Sequence, residues 1–442
     1  MKILPYRLDT TNDCLTSRAG LLGVAQLMRD LRLAERIDQS FPGPGSNRGY
    51  PPSAMIETLM LMQHEGRFHL DEVRHIQADR ALRQVLGLAR LPQATTLGDW
   101  LRRMGTHAGV DAAWVAVNRA LLQAALHRRR EVTLDIDATA IESAKRGAQW
   151  TYRQHQGYMP MVGHIAEVGQ VVAVDFRAGH VPPNKDNLAF IQQCEQSLPA
   201  GCRVHRLRID AAGYQTGIIE YCDQADIEYA IRARTSPAMR AEIDAADASK
   251  WQPLIDRQGQ PVEGQDTYRT ACCIGDYEQA FTLVIQRQII RGQARLDLET
   301  DEDEETLTAG QYRYRAIATN RKDLSDSELI HWYHQRAEDS ENRIKELKRD
   351  LGADTLPCSD HSANALYFRI TALSYNLLAL MRQLLPEDWA HHRASTLRWR
   401  VYAMAAKVVR TGRQTIVKLR RDHRDVLRQV LQALRAFDPP PI

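Results

Sequence analysis

At position 131 the pattern of the chain changes, and that change constrains the fold more than any other feature. Val132, Leu134 and Ile136 alternate with Thr133, Asp135 and Asp137, the two-residue period of a strand. MVGHIAEV and QVVAVDF read as two more strands, joined at a tight turn through Val168, Gly169 and Gln170. Asn184 is placed to cap a helix over about 185–198, and VHRLRID then reads as a strand that ends at Asp210. A helix over about 214–224 leads to the strand IEYAIRA. Three strands, helix, strand, helix, strand is the order of an α/β layer fold, a sheet covered by helices.

At 442 residues the chain exceeds the ~250–300 at which a single core stops growing, which predicts two or three domains. Residues 1–130 carry helical spacing, with Leu21, Val24, Leu27, Met28, Leu31 and Ile37 on one stripe. Ser53 is placed to cap a second helix that ends at Gly66, and further helices are expected near 69–87, 95–105 and 110–128. Arg74, Arg80, Arg83, Arg102 and Arg103 give this bundle basic faces, either solvated surface or a DNA-binding module. Between 235 and 312 the helix–strand alternation lapses into strand-like runs (TYRTACCI, QAFTLVIQR) and an acidic tract at 299–305, read as a β-rich insertion. Residues 313–385 resume the α/β pattern and end in a strongly apolar helix at 361–385, expected to pack the core of that domain. Residues 386–442 form a basic region expected to be helical, with Arg393, Arg398, Arg400, Lys407, Arg410, Arg413, Lys418, Arg420, Arg421, Arg424 and Arg428. So marked an excess of positive charge suits a phosphate backbone.

The net charge of +3 identifies no partner by itself. Seven scattered cysteines lack metal-ligand spacing, and unpaired thiols of this kind point to a reducing cytoplasm. The N-terminus lacks the apolar stretch of a signal peptide, and no apolar run reaches the ~20 residues of a membrane span. A cytoplasmic protein is therefore expected.

A further helix begins at Ser325, which forms a capping box with Glu328, and nothing breaks it before Gly352. Glu341, Ile344, Lys345 and Lys348 share one of its faces. On its own this could be a solvated helix laced with Glu–Lys pairs worth ~0.2–0.5 kcal/mol each. It gains meaning from Asp137 and Asp210, which end two strands where an open α/β sheet lines its ligand crevice. Three carboxylates are hard oxygen ligands for Mg²⁺ or Mn²⁺. Two such ions ~3.5–4 Å apart can activate a water or a 3′-hydroxyl for attack at phosphorus. No P-loop, G-x-S-x-G elbow or H-E-x-x-H motif offers another chemistry. Lys145, Arg146, Trp150, Tyr152, Arg153 and His155 also interleave charge with aromatics in KRGAQWTYRQHQGYMP.

These motifs together resemble the DDE transposases of bacterial insertion sequences, domain group 1. LDIDATAIES around Asp137 and RIDAAGY around Asp210 look like the first two acidic motifs. Tyr333, Arg336, Glu341 and Lys348 look like the Y-R-E-K signature, although four residues rather than three separate Arg336 from Glu341. The resemblance implies an α/β RNase H-like catalytic domain (131–234 and 313–385) with a β-rich insertion. An all-α DNA-binding domain would precede it and basic C-terminal helices would follow. It implies Asp137, Asp210 and Glu341 as catalytic metal ligands, with Glu338 as an alternative third acid and Asp135 as a supporting ligand or a hydrogen-bond acceptor. Tyr333, Arg336, Lys345, Lys348, Arg146 and Arg153 would contact DNA, and Trp251 would either stack on a flipped base or fill a core. The implied activity is cutting at terminal inverted repeats of double-stranded DNA and joining the ends to target DNA, with two Mg²⁺ or Mn²⁺ ions per site and a homodimer in the synaptic complex. In a bacterium the protein would sit on the nucleoid when bound to DNA.

Overall fold

The computed structural model describes residues 2, 3, 6–46, 48–290, 306–412 and 414–435; the acidic tract at 299–305 and Arg413 lie outside them. The chain divides into two compact units. One comprises Met1–Ala125, Ser143–Gly147 and Lys345–Ile442, the other Leu126–Glu142 and Ala148–Ile344. Among the described residues no helix is long and apolar enough to cross a membrane.

The second unit is built on one mixed sheet of ten strands. Its first five are β1 (Glu131–Ala138), β2 (Met161–Ile165), β3 (Val171–Asp175), β4 (Arg203–Ile209) and β5 (Glu228–Ala233). They lie in the order β3-β2-β1-β4-β5, with β2 antiparallel to both its neighbours and the other four running in one direction. Helix α1 (Asn187–Ser197) connects β3 to β4, and α2 (Thr216–Gln224) connects β4 to β5. Helix α1 starts later than Asn184, with Asp186 in the left-handed conformation as its N-cap.

Among the described residues the insertion forms no sheet of its own. Its strands β6 (Gln252–Ile255), β7 (Pro261–Ile274), β8 (Tyr277–Ile289) and β9 (Leu307–Ala309) extend the same sheet through β10 (Tyr312–Thr319). The reason is the free edge of β10: β5 takes one side, and β8 pairs along the other from Thr282–Thr319 to Ile289–Tyr312. A helix at Pro237–Ala245, which the sequence reading did not anticipate, opens the insertion; Ser236 caps it and Pro237 stands at its first turn. Helix α3 (Asp326–Lys345) starts at the expected capping box: Ser325 Oγ donates to Glu328 and accepts from the Glu328 amide at 3.3 Å. Leu329, Ile330 and Tyr333 pack with Ala230, Leu254, Val284 and Ile317, so α3 lies on the strands contributed by both the core and the insertion.

The helical unit has the expected N-terminal helices, with three differences. A short strand, Leu15–Thr16, belongs to a small sheet, so this part is not wholly helical. Arg32, left-handed at φ 50°, splits the first helical stretch into Leu22–Asp30 and Leu33–Ser40. The next helix begins at Pro52, and Ser53 sits inside it, where its hydroxyl donates to Asp38 at 2.8 Å. The apolar helix His361–Leu384, expected in the sheet domain, packs against Pro52–Glu65 and Ala94–Gly105. Gln63 donates to Thr371 Oγ1, and Asn376 donates to Asn118, both at 2.7 Å. The basic C-terminal region is not purely helical. Ala406–Thr411 and Gln414–Leu419 form a hairpin, and only Arg421–Arg435 is a long helix. Ala406 and Val408 are buried while Lys407 and Val409 are only half-buried, a two-residue alternation hidden when the segment is read for charge alone.

His64 is 1% exposed and its Nδ1 lies 3.4 Å from Tyr402 Oη. Burial, reinforced by the charge of Arg398, lowers its pKa to about 3. The folded state thus holds His64 neutral, and the stability it contributes is present above the ordinary value near 6.5 and lost as pH falls below that. Urea unfolding between pH 6.5 and 4 should show this group costing ~1.4 kcal/mol per pH unit. His64→Gln should flatten the acid limb by that amount. An unchanged limb would mean that the imidazole is not buried neutral.

Candidate active site

The site is assembled by strand register. Ile136 of β1 lies beside Ile209 of β4 in a parallel pair. The next residues are Asp137 and Asp210, at the carboxyl ends of neighbouring strands that stand ~4.8 Å apart. Burial pushes the Asp137 carboxyl up to about 6; the Arg336 charge opposes this shift, and the Asp210 charge adds to it. Asp210 caps the turn Ala211–Gly213, accepting from the Ala212 amide at 3.0 Å.

Helix α3 holds both strand ends. Tyr333 Oη donates to the Ile209 carbonyl at 3.4 Å, one residue before Asp210. Arg336 Nη1 donates to the Ile136 carbonyl at 3.1 Å, one residue before Asp137, and lies 4.0 Å from the Asp137 carboxylate. Further along, Arg343 Nη2 donates to the Ala166 carbonyl at 2.7 Å, just beyond β2. Tyr333 and Arg336 are only 5% and 7% exposed. Both belong to the buried stripe Tyr333, Arg336, Ser340, Ile344, whose spacing of three and four residues turns them to the sheet.

Glu341 is exposed and follows Ser340, ~100° around the helix, so it flanks the buried stripe. Glu338, also exposed, lies on the far side of the helix by the same geometry. Among the described residues, no three His, Cys, Asp or Glu side chains are grouped closely enough to hold one ion. The structure thus pairs Asp137 with Asp210 and leaves Glu341 beside the helix face that grips them.

Asp135 has a different job from Asp137, two residues later on the same strand face. It is fully buried, and Arg208 Nε and Nη2 donate to its two oxygens at 2.7 and 2.8 Å. Arg208 also donates to the Trp332 carbonyl at 2.5 Å and lies 5.2 Å from the Trp332 ring. Asp135 is accordingly a hydrogen-bond acceptor, one of the two roles expected of it, and an anchor tying β1, β4 and α3 together. The sequence reading missed Arg208 and Arg343. The signal for Arg208 was an arginine in VHRLRID two residues before Asp210, just as Asp135 stands two residues before Asp137.

The remaining expected DNA contacts are dispersed. Arg153 is exposed in a turn of the sheet unit. Arg146 belongs to the helical unit, strongly exposed and 3.7 Å from Asp360. Lys345 and Lys348 also fall in that unit, where the helix continues as a π-turn over Glu346–Asp350. Trp251 is buried, with Arg287 4.2 Å above its ring and Tyr268 and Tyr314 rings 5.6 and 5.9 Å away. Its ring packs among these side chains. Arg398 of the basic region is also engaged, donating to the His64 and Gln63 carbonyls at 2.9 Å each.

The two aspartates of β1 should respond oppositely to substitution. Asp135→Ala strands the Arg208 charge, 2% exposed, and should cost ~3–5 kcal/mol in denaturant unfolding. Asp137→Asn removes one of two repelling carboxylates and should leave metal-free stability unchanged or higher. Equal losses at both positions would overturn this division of roles.

No curated protein matches the chain. Among solved structures it is similar to a piggyBac transposase in a synaptic complex with hairpin DNA, at 9% identity and a TM-score of 0.46, over 89% of this chain and 82% of that one. The family described as Transposase DDE domain group 1 matches residues 5–439. The chain belongs to that family of transposases.

Proposed function

We propose that this protein is a cut-and-paste DNA transposase of an insertion sequence, acting through Asp137, Asp210 and Glu341 on an RNase H-like catalytic domain. The observation that carries the reading is the register placing Asp137 and Asp210 side by side at the ends of parallel strands, on a sheet gripped by the helix that bears Glu341. Membership of the transposase family supports it.

The donor set fits hard divalent cations. Asp137 and Asp210 repel each other, and Arg336 is the cation that reaches Asp137 from α3. Asp137, Asp210 and Glu341 would hold two Mg²⁺ or Mn²⁺ ions, which when bound supply Lewis acidity for activating a water or 3′-hydroxyl and steadying the leaving oxygen. Arg336 and Tyr333 act as positioning residues that set the height of the two strand ends. Lys345 and Lys348, on the continuation of the same helix, would attract the phosphates of the DNA end as point charges. Residues 1–130 and the basic region 386–442 would bind the terminal inverted repeats, and two ends in one complex imply a homodimer on DNA.

The test is cleavage of labelled DNA carrying the element's own ends, with Mg²⁺ or Mn²⁺, by wild type and Glu341→Gln. Loss of even an outer partner of a metal ligand costs ~10–100-fold in affinity or activity. Glu341→Gln should therefore lose at least that much cutting while still binding DNA. Equal cutting by both proteins would move the third acid elsewhere. Cutting without joining to a target would make the protein a nuclease of the same fold. Specific binding with no cutting by either would make it a regulator derived from a transposase.

A further inference from the structure

Beyond Asp137 the chain leaves the main sheet and builds a three-stranded ribbon from Ile141–Glu142, Gln149–Trp150 and Gln156–Tyr158 before re-entering at Met161. Ile141 pairs with Tyr158, and further back along the same two segments Asp137 pairs with Val162. The ribbon therefore projects from the end of β1 at which Asp137 stands. It is firmly seated. Tyr158 is fully buried, its ring 5.0 Å from that of Phe176. Gly157 approaches so closely that a Cβ there would lie 2.0 Å from the Ile141 carbonyl oxygen, and one on Gly179 would lie 2.3 Å from that of Gln149. The turn is closed by the Thr151 amide donating to His155 O at 2.8 Å and the Gln154 amide to Thr151 O at 3.0 Å.

On this rigid base, two large aromatic side chains stand in solvent. Trp150 is 64% and Tyr152 57% exposed. Arg153 lies 5.5 Å over the Tyr152 ring, with its Nε donating to Tyr152 Oη at 3.0 Å, and among the described residues it meets no carboxylate. The neighbouring side chains are Gln149, Gln154 and Gln156, amides rather than the aliphatic residues that would complete an apolar protein-docking patch. Flat π-faces beside a guanidinium are the elements of a nucleobase-stacking platform, since every base has a π-face and every nucleotide a phosphate.

We propose that Trp150 and Tyr152 stack an unpaired base of the DNA end, with Arg153 on its phosphate, next to the strand end that carries Asp137. This rests on the transposase reading and assigns its aromatic base contact to the ribbon.

The experiment uses the full-length protein and a duplex closed by a hairpin loop containing 2-aminopurine, alongside a fully paired duplex of the same sequence. Wild type should quench the 2-aminopurine on binding. Trp150→Ala and Tyr152→Ala should each weaken binding to the hairpin-ended duplex by roughly 5- to 150-fold and reduce the quenching, while binding to the paired duplex stays the same. Trp150→Phe, which keeps an aromatic face, should retain most of both. If the double variant, with an unchanged melting temperature, matches wild type in affinity and quenching, the platform is overturned and the transposase reading stands. If Trp150→Ala instead dissociates a dimer in sedimentation and leaves the DNA measurements untouched, the aromatics face a second copy of the chain and the proposal fails. If wild type binds neither DNA, both readings fail together.

Discussion

Two carboxylates at the ends of adjacent parallel strands repel each other, and much of the sheet unit can be understood as the means of keeping them there. At ~5 Å and an effective dielectric of ~20 the repulsion between full charges is about 3 kcal/mol. Arg336, inserted from α3, answers part of it, and the same guanidinium bonds the Ile136 carbonyl, so the charge and the strand end are held by one side chain. Tyr333 does the matching work at the Ile209 carbonyl. Asp135 adds a third negative charge to this end of the sheet, and its bidentate pairing with Arg208 offsets that charge only in part.

Helix α3 thus performs two tasks with two faces. The stripe through Tyr333, Arg336, Ser340 and Ile344 is a clamp on the strands, whereas Glu341 on its flank stays exposed. Tyr333 and Arg336 hold the strand ends, whereas Glu341 faces solvent. The insertion belongs to the same mechanical system. Its strands extend the sheet beyond β10, and Leu254 and Val284 form part of the floor on which Leu329 and Ile330 rest. Burying each of those two side chains stabilises the start of α3 by ~1.5–3 kcal/mol.

Legibility in the sequence follows the range of the physics involved. The alternation of Val132 to Asp137, the strand ending at Asp210 and the Ser325–Glu328 capping box all depend on neighbours within a few residues, and each stands where the local pattern placed it. Local patterns misled where they competed. The charge of the segment around Lys407 hid a β-alternation, and Arg32 interrupts a run that reads as one continuous helix. Trp251 illustrates a further limit, because nothing near it in the chain reveals that Arg287 and Tyr314 cover its ring.

What the sequence determined by itself is therefore the main strands and helices of the sheet unit and the two aspartates that end its strands, because periodicity and capping are written in adjacent residues. Tertiary structure alone decided that Arg208 anchors Asp135 and that Tyr333 and Arg336 are buried. Those outcomes depend on Arg208 meeting Asp135 across 73 residues and Arg336 meeting Ile136 across 200. At such separations the chain offers many possible partners, and only the register of the sheet and the packing of one helix upon it select among them.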